Sequence, residues 1–595
     1  MATYTAPVDD LRFVLQELHG AGQRFQELPG FEEASDDLID AILEEAAKVC
    51  ENELFPCNQN GDEQGAQFDN GKVTLPDGYA DAYKALTEGG WTALSCDPKY
   101  GGQGLPETVK FAVEEMVISA NMSLSLIPGL THGAYRALNG FASDELKGRY
   151  LPKMVSGEWT GTMCLTESHC GTDLGLMRSR AEPQDDGSYS ITGTKIFITG
   201  GEQDVTDNIV HLVLAKIPGG PKGIKGVSLF LVPKFLPDAD GNPGEYNHTN
   251  CGSIEKKMGI KGTPACVMNF ENSKGWLVGE ENRGMRAMFA MMNHERLWVG
   301  MQGLSIAEVA YQNATAYAKD RLQGRSPTGP VNTDGPADPI IVHPDVRRML
   351  MTTRAHLEGC RALYTGVALT IDTAERHPDP EVRAAADKRV ALLTPVIKAY
   401  LSDMGLDAAV ASQQVLGGHG YIREWGMEQY VRDARIAQIY EGTNGVQAMD
   451  LVGRKLPMEG GQVMRDYLAE MRNFSASAAD DERMREFTLP LDNALKDLEA
   501  AFEWLLERAA SDAAAAGSAA VDFLKLAGLT GVAHMWAAMA GIALDKVEGD
   551  NTGFYARKLT LARYYMQRLL PQTTSLLAAI RSGSELMMEL EAEAF

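Results

Sequence analysis

The clearest candidate for chemistry in the sequence is Glu441, which lies in the segment IYEGTN at residues 439–444. A carboxylate held within reach of a proton can act as a general base. Upstream, Gly417 and Gly418 in QVLGGHGY lack side chains, so backbone N–H groups there can approach a phosphate. Together the two segments predict a site that joins a base to a nucleotide. On composition alone Glu441 also fits a solvated helix end, and both interpretations stay open at this point.

A second cluster of reactive side chains comprises Cys164, His169 and Cys170. Three ligands on one strand and its following turn rarely converge on one ion, so we expect no metal site. The eight cysteines form no CxxC pair, which predicts free thiols. A run of methionines is interpreted as core packing, with the lining of an adaptable pocket as the alternative. The run comprises Met285, Met288, Met291 and Met292.

The hydrophobic pattern divides the chain into regions that would position these residues. Apolar residues recur at helical spacing in the first region, whereas short β-prone runs between turn residues fill the second. Helical spacing returns in the third region and continues in a further region after it. We therefore predict a mainly α protein with a central β domain and an added helical domain, divided as residues 1–158, 159–280, 281–455 and 456–595. The turn-rich residues 236–252 are predicted to form surface loops.

The composition excludes several classes of protein. With 44% hydrophobic and 23% charged residues, the chain of 595 residues has the balance of an ordinary globular protein. Its net charge of -26 repels phosphate backbones and anionic lipids, so neither nucleic acid nor a membrane is an expected partner. No run approaches the roughly 18 consecutive apolar residues that span a bilayer. The opening residues lack the features of a signal peptide, which predicts a cytoplasmic protein.

Seven collinear segments carry a resemblance to a known family, and they read MCLTESHCGTD, GTKIFITGG, KMGIKG, NHERLWVG, YAKDRLQGR, QVLGGHGY and IYEGTN. On these segments residues 36–455 resemble the acyl-CoA dehydrogenase family. The resemblance implies a helical N-terminal domain, a β-barrel-like middle domain and a helical bundle, with the region after residue 455 as an extra helical domain. It also implies FAD as cofactor. No G-x-G-x-x-G or G-x-x-x-x-G-K-[ST] motif occurs, so FAD would be held between domains and across a subunit contact.

The resemblance also implies a catalytic base. In the family, the carboxylate of the YEG segment removes the α-proton of an acyl-CoA while the β-hydrogen leaves as hydride to flavin N5, which implies Glu441 as the base. Some branches place the base on the helix that matches NHERLWVG, where this chain has Glu295. Because those branches generally lack the YEG glutamate, Glu441 is favoured and Glu295 is the alternative. The adjacent Arg296 matches a position that contacts CoA, with an ion pair to a neighbouring residue as the alternative.

The resemblance assigns further residues to the cofactor and the substrate. The implied cofactor-binding residues are Met163, Leu165, Thr166, Thr172, Phe197, Thr199, Arg321, Gln414, Gly417, Gly418 and Thr443. Four of these, Arg321, Gln414 and the two glycines, would hold the FAD pyrophosphate and adenine of the neighbouring subunit. The implied substrate-binding residues are Thr172, Asn293, Arg296 and Gly442. The family often has Trp at position 197, and Phe197 keeps the stacking surface without an indole N–H.

Residues 3–18, residues 341–350 and the helical tail resemble a long bacterial branch of the family. This branch implies α,β-dehydrogenation of an acyl-CoA, and its most specific implied substrate is 3-methylthiopropanoyl-CoA from dimethylsulfoniopropionate breakdown, with 3-methylthioacryloyl-CoA as product. Dehydrogenation of a medium- or long-chain fatty acyl-CoA is the alternative. An acyl-CoA oxidase, which passes electrons to O2, is another.

The resemblance further implies electron-transfer flavoprotein as the acceptor of electrons from the reduced flavin. Because the tail would cover a surface that shorter relatives use for tetramer packing, we expect a homodimer. A DNA-associated flavoprotein of the same architecture would need a basic face, which the net charge opposes. A helical scaffold without activity would need no flavin, so a yellow purified protein would exclude it.

Overall fold

The structure is a computed structural model that describes residues 2–509 and 511–595. The chain forms two compact units. The barrel unit is Glu44–Glu295, and the bundle unit combines the chain up to Leu43 with Arg296–Phe595. Along the sequence, helices predominate before and after a central group of strands, which confirms the predicted mainly α class with a middle β region. The four predicted domain boundaries stay predictions.

The helices that precede the sheet are α1 (Val8–Arg12), α2 (Ala21–Phe25), α3 (Asp36–Val49), α4 (Asn58–Gln64), α5 (Tyr79–Glu88), α6 (Glu107–Phe141) and α7 (Asp144–Val155). Helix α6 is kinked at Asn121, where the backbone leaves helical geometry with φ -156°. The Asn121 side chain accepts a hydrogen bond from the Leu124 N–H at 3.0 Å and so caps the second half of the helix. The bend therefore has a local cause in the sequence.

The strands are β1 (Gln67–Asp69), β2 (Lys72–Thr74), β3 (Trp159–Cys164), β4 (Arg180–Pro183), β5 (Tyr189–Thr199), β6 (Asn208–Lys216), β7 (Val227–Pro233), β8 (Phe235–Pro237), β9 (Pro243–Tyr246), β10 (Thr249–Ile254) and β11 (Ala265–Val278). The main sheet has the order β10-β11-β5-β4-β6-β3, and β7 pairs with both β6 and β11. Strands β11, β5, β4, β6 and β7 thus form a closed ring, as in a small barrel. Side chains that include Trp159, Leu212 and Leu229 fill the core beside α6 and α7.

The prediction that residues 236–252 form only loops is wrong. The segment contains the β8–β9 hairpin and the start of β10. Its turn residues close the hairpin, because the Asp238 carboxylate accepts hydrogen bonds from the N–H groups of Asp240 and Asn242, each at 2.9 Å. The eight cysteines are all free and buried, as their spacing predicted.

The next helices are α8 (Gly284–Asp320), α9 (Pro344–Arg376), α10 (Pro380–Val415), α11 (Met427–Arg435) and α12 (Asn444–Asp450). Helix α8 begins in the barrel unit and continues into the bundle unit from Arg296. In the bundle unit α8 and α10 cross closely at Gly303 and Gly405, where a Cβ on either residue would overlap the backbone of the other helix. This close crossing fixes the part of α8 after Arg296 against the middle of α10.

The tail contains α13 (Gln462–Ser477), α14 (Arg485–Ala509), α15 (Ala513–Lys546), α16 (Phe554–Tyr564), α17 (Gln572–Arg581) and α18 (Glu585–Met588). By length and composition, one stretch of the described residues, Ala513–Gly549, could cross a bilayer, which the sequence analysis had not anticipated. However, 78% of its most apolar window is buried inside the protein, as in the core helix of a domain. Trp536 on this helix packs against Gly359 and donates a hydrogen bond to the Ala355 carbonyl at 2.8 Å.

A network of buried charges ties the N-terminal segment to α9 and to the tail within the bundle unit. Asp10 accepts hydrogen bonds from both Arg361 and Lys558. Arg361 also bonds Glu308 at 2.6 Å, and Lys558 bonds Glu358 at 2.6 Å. The side chains of Arg361 and Lys558 are no more than 2% exposed. Each charge in this network therefore has an opposite charge beside it.

Candidate active site

The segment that carries Glu441 is a strained turn between two short helical elements. A turn of 3₁₀ helix ends at Gln438, and α12 begins at Asn444. Glu441 has a positive φ of 56°, which is uncommon for a residue with a side chain and is often found at functional sites. Thr443 caps α12, since its hydroxyl accepts a hydrogen bond from the Val446 N–H at 3.3 Å. Gln447 holds the turn by donating to the Glu441 carbonyl at 3.1 Å.

The carboxyl of Glu441 has the properties that a base acting on carbon requires. Burial raises its pKa to about 7, against the opposing charges of Arg296 and Lys398. Over the described residues of the bundle unit, no group donates a hydrogen bond to this carboxylate, and the Glu441 N–H donates to no acceptor there. The carboxylate can thus accept a proton near neutral pH, and the N–H is available to a ligand oxygen.

Arg296 forms an ion pair with a neighbouring residue. Its Nη1 lies 3.7 Å from Oδ2 of Asp450, and both side chains are less than 10% exposed. Burial lowers the pKa of Arg296, while Asp450 and Glu441 oppose that shift. Asp450 also pairs with Arg454 at 2.5 Å. The structure thus contains an ion pair at Arg296, and its contact with CoA stays a prediction.

Lys398 is a residue of this site that the sequence analysis missed. It lies in the middle of α10, and its Nζ donates to Oδ1 of Asn444 at 2.9 Å. Asn444 in turn donates to Asp403 Oδ1 at 2.7 Å, and Asp403 accepts a second hydrogen bond from Gln438 at 2.7 Å. Both ends of the Glu441 turn are thus attached to α10. The only signal in the sequence is one lysine within the apolar run TPVIKAYL.

Glu295, the alternative base, belongs to the barrel unit. It is 1% exposed and lies against Gly133 of α6, where a Cβ would overlap its carboxylate. The glycine thus makes room for a buried acid between α6 and α8. Asn293, two residues earlier, is exposed. Met288 and Met291 are fully buried and Met285 and Met292 pack beside them, in agreement with the core interpretation of the methionine run.

The predicted flavin strands lie together in the barrel unit. The Thr166 carbonyl accepts a hydrogen bond from the Ile196 N–H at 2.9 Å, which places the end of β3 next to β5. Lys195 reinforces this contact by donating to the Leu165 carbonyl at 2.9 Å. Met163 and Thr199 are partly buried, and Thr172 lies on an exposed turn after β3. The residues of two separate sequence segments therefore share one region of the barrel.

Phe197 is the feature of this region that fits a planar cofactor. It has a positive φ of 61° and its ring is 59% exposed, which is unusual for a large apolar residue on a strand. An aromatic face presented in this way can stack on a flat ring system. The residues present therefore fit an isoalloxazine ring, although their individual roles stay predictions.

The predicted phosphate-binding residues form a separate group in the bundle unit. Arg321 follows the end of α8, and Gln414, Gly417 and Gly418 lie at the end of α10, all exposed. The two helix ends meet because the Tyr317 hydroxyl hydrogen bonds His419 at 2.9 Å. An α-helix rises by about 1.5 Å per residue, so Gln414 lies about 16 Å from Asp403 along α10. The group and the Glu441 turn are thus separate parts of the bundle unit.

Two clusters of potential metal ligands occur among the described residues, Glu167 with His169 and Cys170, and Glu107 with His132 and His294. Glu167 accepts hydrogen bonds from Lys195 at 3.0 Å and from Ser179 at 2.6 Å. Glu107 accepts from Arg136 at 2.6 Å and from Ser95 at 2.8 Å. Cationic and hydroxyl donors thus already occupy one oxygen of the carboxylate in each cluster.

A cleft of about 430 Å³ lies between α10, α12 and the tail in the bundle unit. Its lining includes Asp403 and Asn444 from the network described above, and Leu524 and Lys525 from α15. None of the predicted site residues lines it. The tail therefore reaches the groups that attach the Glu441 turn to α10.

Comparisons with known proteins identify the family. The chain matches the N-terminal, middle and C-terminal domain models of acyl-CoA dehydrogenase over residues 37–158, 162–273 and 282–456. Residues 467–591 match a model described as acetyl-CoA dehydrogenase C-terminal like. The chain belongs to the acyl-CoA dehydrogenase family, whose members are FAD-dependent oxidoreductases.

Individual relatives and a solved structure agree with this assignment. The chain is 42% identical over 579 residues to a 3-methylmercaptopropionyl-CoA dehydrogenase of Ruegeria pomeroyi, covering 96% of this chain and 97% of that protein. It is 34% identical to the broad-specificity linear acyl-CoA dehydrogenase FadE5 of Mycobacterium tuberculosis, with 100% of each chain covered. A solved acyl-CoA dehydrogenase of Bacillus anthracis complexed with FAD has a TM-score of 0.76 at 20% identity, covering 96% of this chain and 91% of that chain.

Proposed function

We propose that this acyl-CoA dehydrogenase uses Glu441 to remove the α-proton of its substrate, and that 3-methylthiopropanoyl-CoA is that substrate. The observation that carries the role of Glu441 is its carboxyl, which has a pKa of about 7 and no hydrogen-bond donor over the described residues of its unit. A base of this kind is about half ionised at neutral pH, and its ionised form has a strong tendency to take up a proton. Glu295 remains the alternative base.

The chain's own groups would divide the remaining work of the reaction. The Glu441 N–H would donate to the thioester oxygen, where negative charge develops as the α-proton leaves. Arg296 and Lys398 oppose the rise in the pKa of Glu441 and so keep a useful fraction of it ionised. Phe197, Met163, Leu165, Thr166 and Thr199 would hold the flavin ring. FAD, when bound there, supplies the acceptor for the β-hydride.

Further residues would hold the outer parts of both ligands. Thr443 at the start of α12 and the exposed Thr172 would contact the cofactor. Arg321, Gln414, Gly417 and Gly418 would bind the pyrophosphate and adenine of the FAD of a second subunit. Arg296, Asn293, Gly442 and Thr172 would contact the acyl-CoA.

The relative from Ruegeria pomeroyi supports 3-methylthiopropanoyl-CoA as the substrate, because similarity at 42% identity extends over nearly the whole chain. A straight-chain acyl-CoA is the second candidate, since the full-length similarity to the linear acyl-CoA enzyme includes the tail. Flavin reduction by the methylthio substrate and by straight chains of several lengths would separate the two. Faster reduction by every straight chain would reject the methylthio substrate.

The role of Glu441 is tested by the substitution Glu441→Gln, which keeps the size of the side chain but removes the base. We expect FAD to stay bound and flavin reduction by substrate to slow by about 10²–10⁴-fold, the usual contribution of a general base. The matched control is Glu295→Gln, which we expect to reduce flavin at nearly the normal rate. Loss of reduction in the Glu295 variant with persistence in the Glu441 variant would reverse the assignment.

We further propose a homodimer with electron-transfer flavoprotein as its electron acceptor and a cytoplasmic location. Light scattering that gives a tetramer would reject the dimer. Rapid oxygen consumption in the absence of another acceptor would instead indicate an oxidase.

A further inference from the structure

Lys398 is buried to an extent that lysine rarely shows. Its side chain has no exposed surface, although it lies in a helix that reaches the surface elsewhere. Removing an ammonium group from water is costly unless opposite charges compensate it. The position therefore needs an explanation beyond the packing of α10.

Holding Asn444 does not require a charged donor. The Asn444 Nδ2 already donates to Asp403 at 2.7 Å and to the Ala399 carbonyl at 3.2 Å. The Ser402 hydroxyl lies 3.3 Å from Oδ1 of Asn444, the same atom that Lys398 bonds. Neutral or anionic groups of α10 thus anchor this end of the Glu441 turn without the lysine.

The charge of Lys398 has no carboxylate in direct contact. Over the described residues of the bundle unit, no carboxylate oxygen lies within 4.0 Å of its Nζ. Burial lowers the pKa of Lys398 to about 7, while Glu441 and Asp403 favour its protonated form and Arg296 opposes it. Asp403 shares its Oδ1 between two amide donors, Gln438 and Asn444. The remaining acidic group is the proposed base.

Arg296, the other cation near Glu441, differs in this respect. Its guanidinium pairs with Asp450 at 3.7 Å, so much of its charge is offset before it reaches Glu441. A cation that is already ion-paired stabilises a nearby carboxylate less than an unpaired cation at the same distance does. Arg296 is nevertheless the larger of the two charges that oppose the rise in the pKa of Glu441, and Lys398 is the second, with no carboxylate in direct contact.

We propose that Lys398, held beside the Glu441 turn by its hydrogen bond to Asn444, is a positioning residue that keeps the Glu441 carboxyl ionised in the resting enzyme. This inference rests on the proposed role of Glu441. Burial favours the neutral forms of both groups, and their mutual attraction favours the charged forms. When Glu441 takes up the substrate proton, Lys398 loses its main partner, so the two protonation states are coupled.

The test compares Lys398→Met, which removes both the charge and the hydrogen bond, with Lys398→Gln, which removes the charge but retains a donor for Asn444. Flavin reduction by substrate is followed by rapid mixing from about pH 5.5 to 9. In both variants we expect the apparent pKa of the base to rise by about one unit or more. The rate at low pH then falls about tenfold or more, while the limiting rate at high pH is nearly unchanged.

A second readout does not depend on turnover. The infrared carboxylate band of Glu441, identified by its absence in Glu441→Gln, is titrated in each variant, and we expect its midpoint to rise equally in Lys398→Met and Lys398→Gln. A normal midpoint and pH profile in Lys398→Gln would overturn the role of the charge. If Lys398→Met does not fold, Lys398→Gln alone decides the result, because amide and aliphatic groups tolerate burial better than a charge does.

The outcome for Glu441→Gln separates the two hypotheses. If that variant still reduces flavin at a normal rate, the proposed function of Glu441 fails. If it is inactive and both lysine variants keep the normal pH profile, only the role of Lys398 fails. A rate that falls by the same factor at every pH would assign Lys398 a packing role and would also overturn the inference.

Discussion

Asp10 and Glu441 are both partly buried acids of the bundle unit, yet their pKa values shift in opposite directions. Burial alone would raise the pKa of Asp10, but Lys558 and Arg361 bind it directly and lower the pKa to about 2. Glu441 lies near Arg296 and Lys398 without a hydrogen bond from either, and burial raises its pKa to about 7. Direct pairing thus decides whether a buried acid stabilises the fold or remains available to take a proton.

The two sites also differ in what their charges connect. The Asp10 network joins the N-terminal segment, α9 and α16, and each member contacts an opposite charge. The Glu441 turn is held instead through its neighbours in sequence, by the caps and amides of Thr443, Asn444 and Gln447. In the second arrangement the backbone is fixed while the carboxylate stays free for a ligand.

The largest expected effect comes from breaking the paired network with Lys558→Met. Leaving Asp10 and Glu358 with fewer partners in a buried site should lower the free energy of unfolding by about 3–5 kcal/mol. Denaturant unfolding of the purified protein would measure it. The matched control is Lys546→Met, because Lys546 also joins the N-terminal segment to the tail, through an exposed pair with Glu17 at 3.0 Å. For Lys546→Met we expect the free energy of unfolding to fall by at most about 1 kcal/mol. Equal losses in the two variants would contradict the expected difference between a buried and an exposed ion pair.

Acid should remove the contribution of Asp10. Its folded pKa lies below its unfolded value, so the stabilisation is present above about pH 4 and is lost as the pH falls through about 2. A shift from 3.8 to about 2 corresponds to about 2 kcal/mol. The comparison is between the wild type and Asp10→Asn in denaturant at several pH values. The stability difference should narrow as the pH falls, and a constant difference would reject the pairing effect.

Glu441 should change the stability of the fold with pH in the opposite direction to Asp10, and by a smaller amount. Its folded pKa of about 7 exceeds the ordinary value of 4.5, so the folded state retains a proton that the unfolded state loses, and stability falls as the pH rises between these values. Because the side chain is partly exposed, we expect Glu441→Gln to be more stable than the wild type by about 1–2 kcal/mol above pH 7. Near pH 4 the two should unfold alike. Greater stability of the wild type at high pH would contradict the unpaired state of the base.

Periodicity and segment resemblance predicted the helices, the central sheet and the Glu441 segment, because these depend on local patterns. They did not predict the β8–β9 hairpin, since its residues have the composition of a loop and only the Asp238 hydrogen bonds reveal the pairing. They also missed Lys398. A lysine in a helix is normally a surface residue, and its burial follows from the approach of α12 to α10, which a linear sequence does not contain.

The electrostatics of Arg296 and Glu441 were likewise beyond prediction. The sequence offered Arg296 as a CoA contact or as a member of an ion pair, and only the fold brings Asp450 to within 3.7 Å of it. The positive φ of Glu441 depends on Gln447 and on the start of α12 as well as on the glycine that follows. Such features arise from contacts between segments and not from residue type.

The ion pair between Asp10 and Lys558 joins positions that are 548 residues apart in the chain. At a synthesis rate of about 5–20 residues per second, the ribosome needs roughly 30–110 s to reach the second position after making the first. Throughout that interval the opening segment has emerged with its apolar side chains, Phe13 among them, and without the helix that will cover them. The N-terminal segment of the nascent chain is therefore accessible to chaperones and proteases until the last helices have been synthesised.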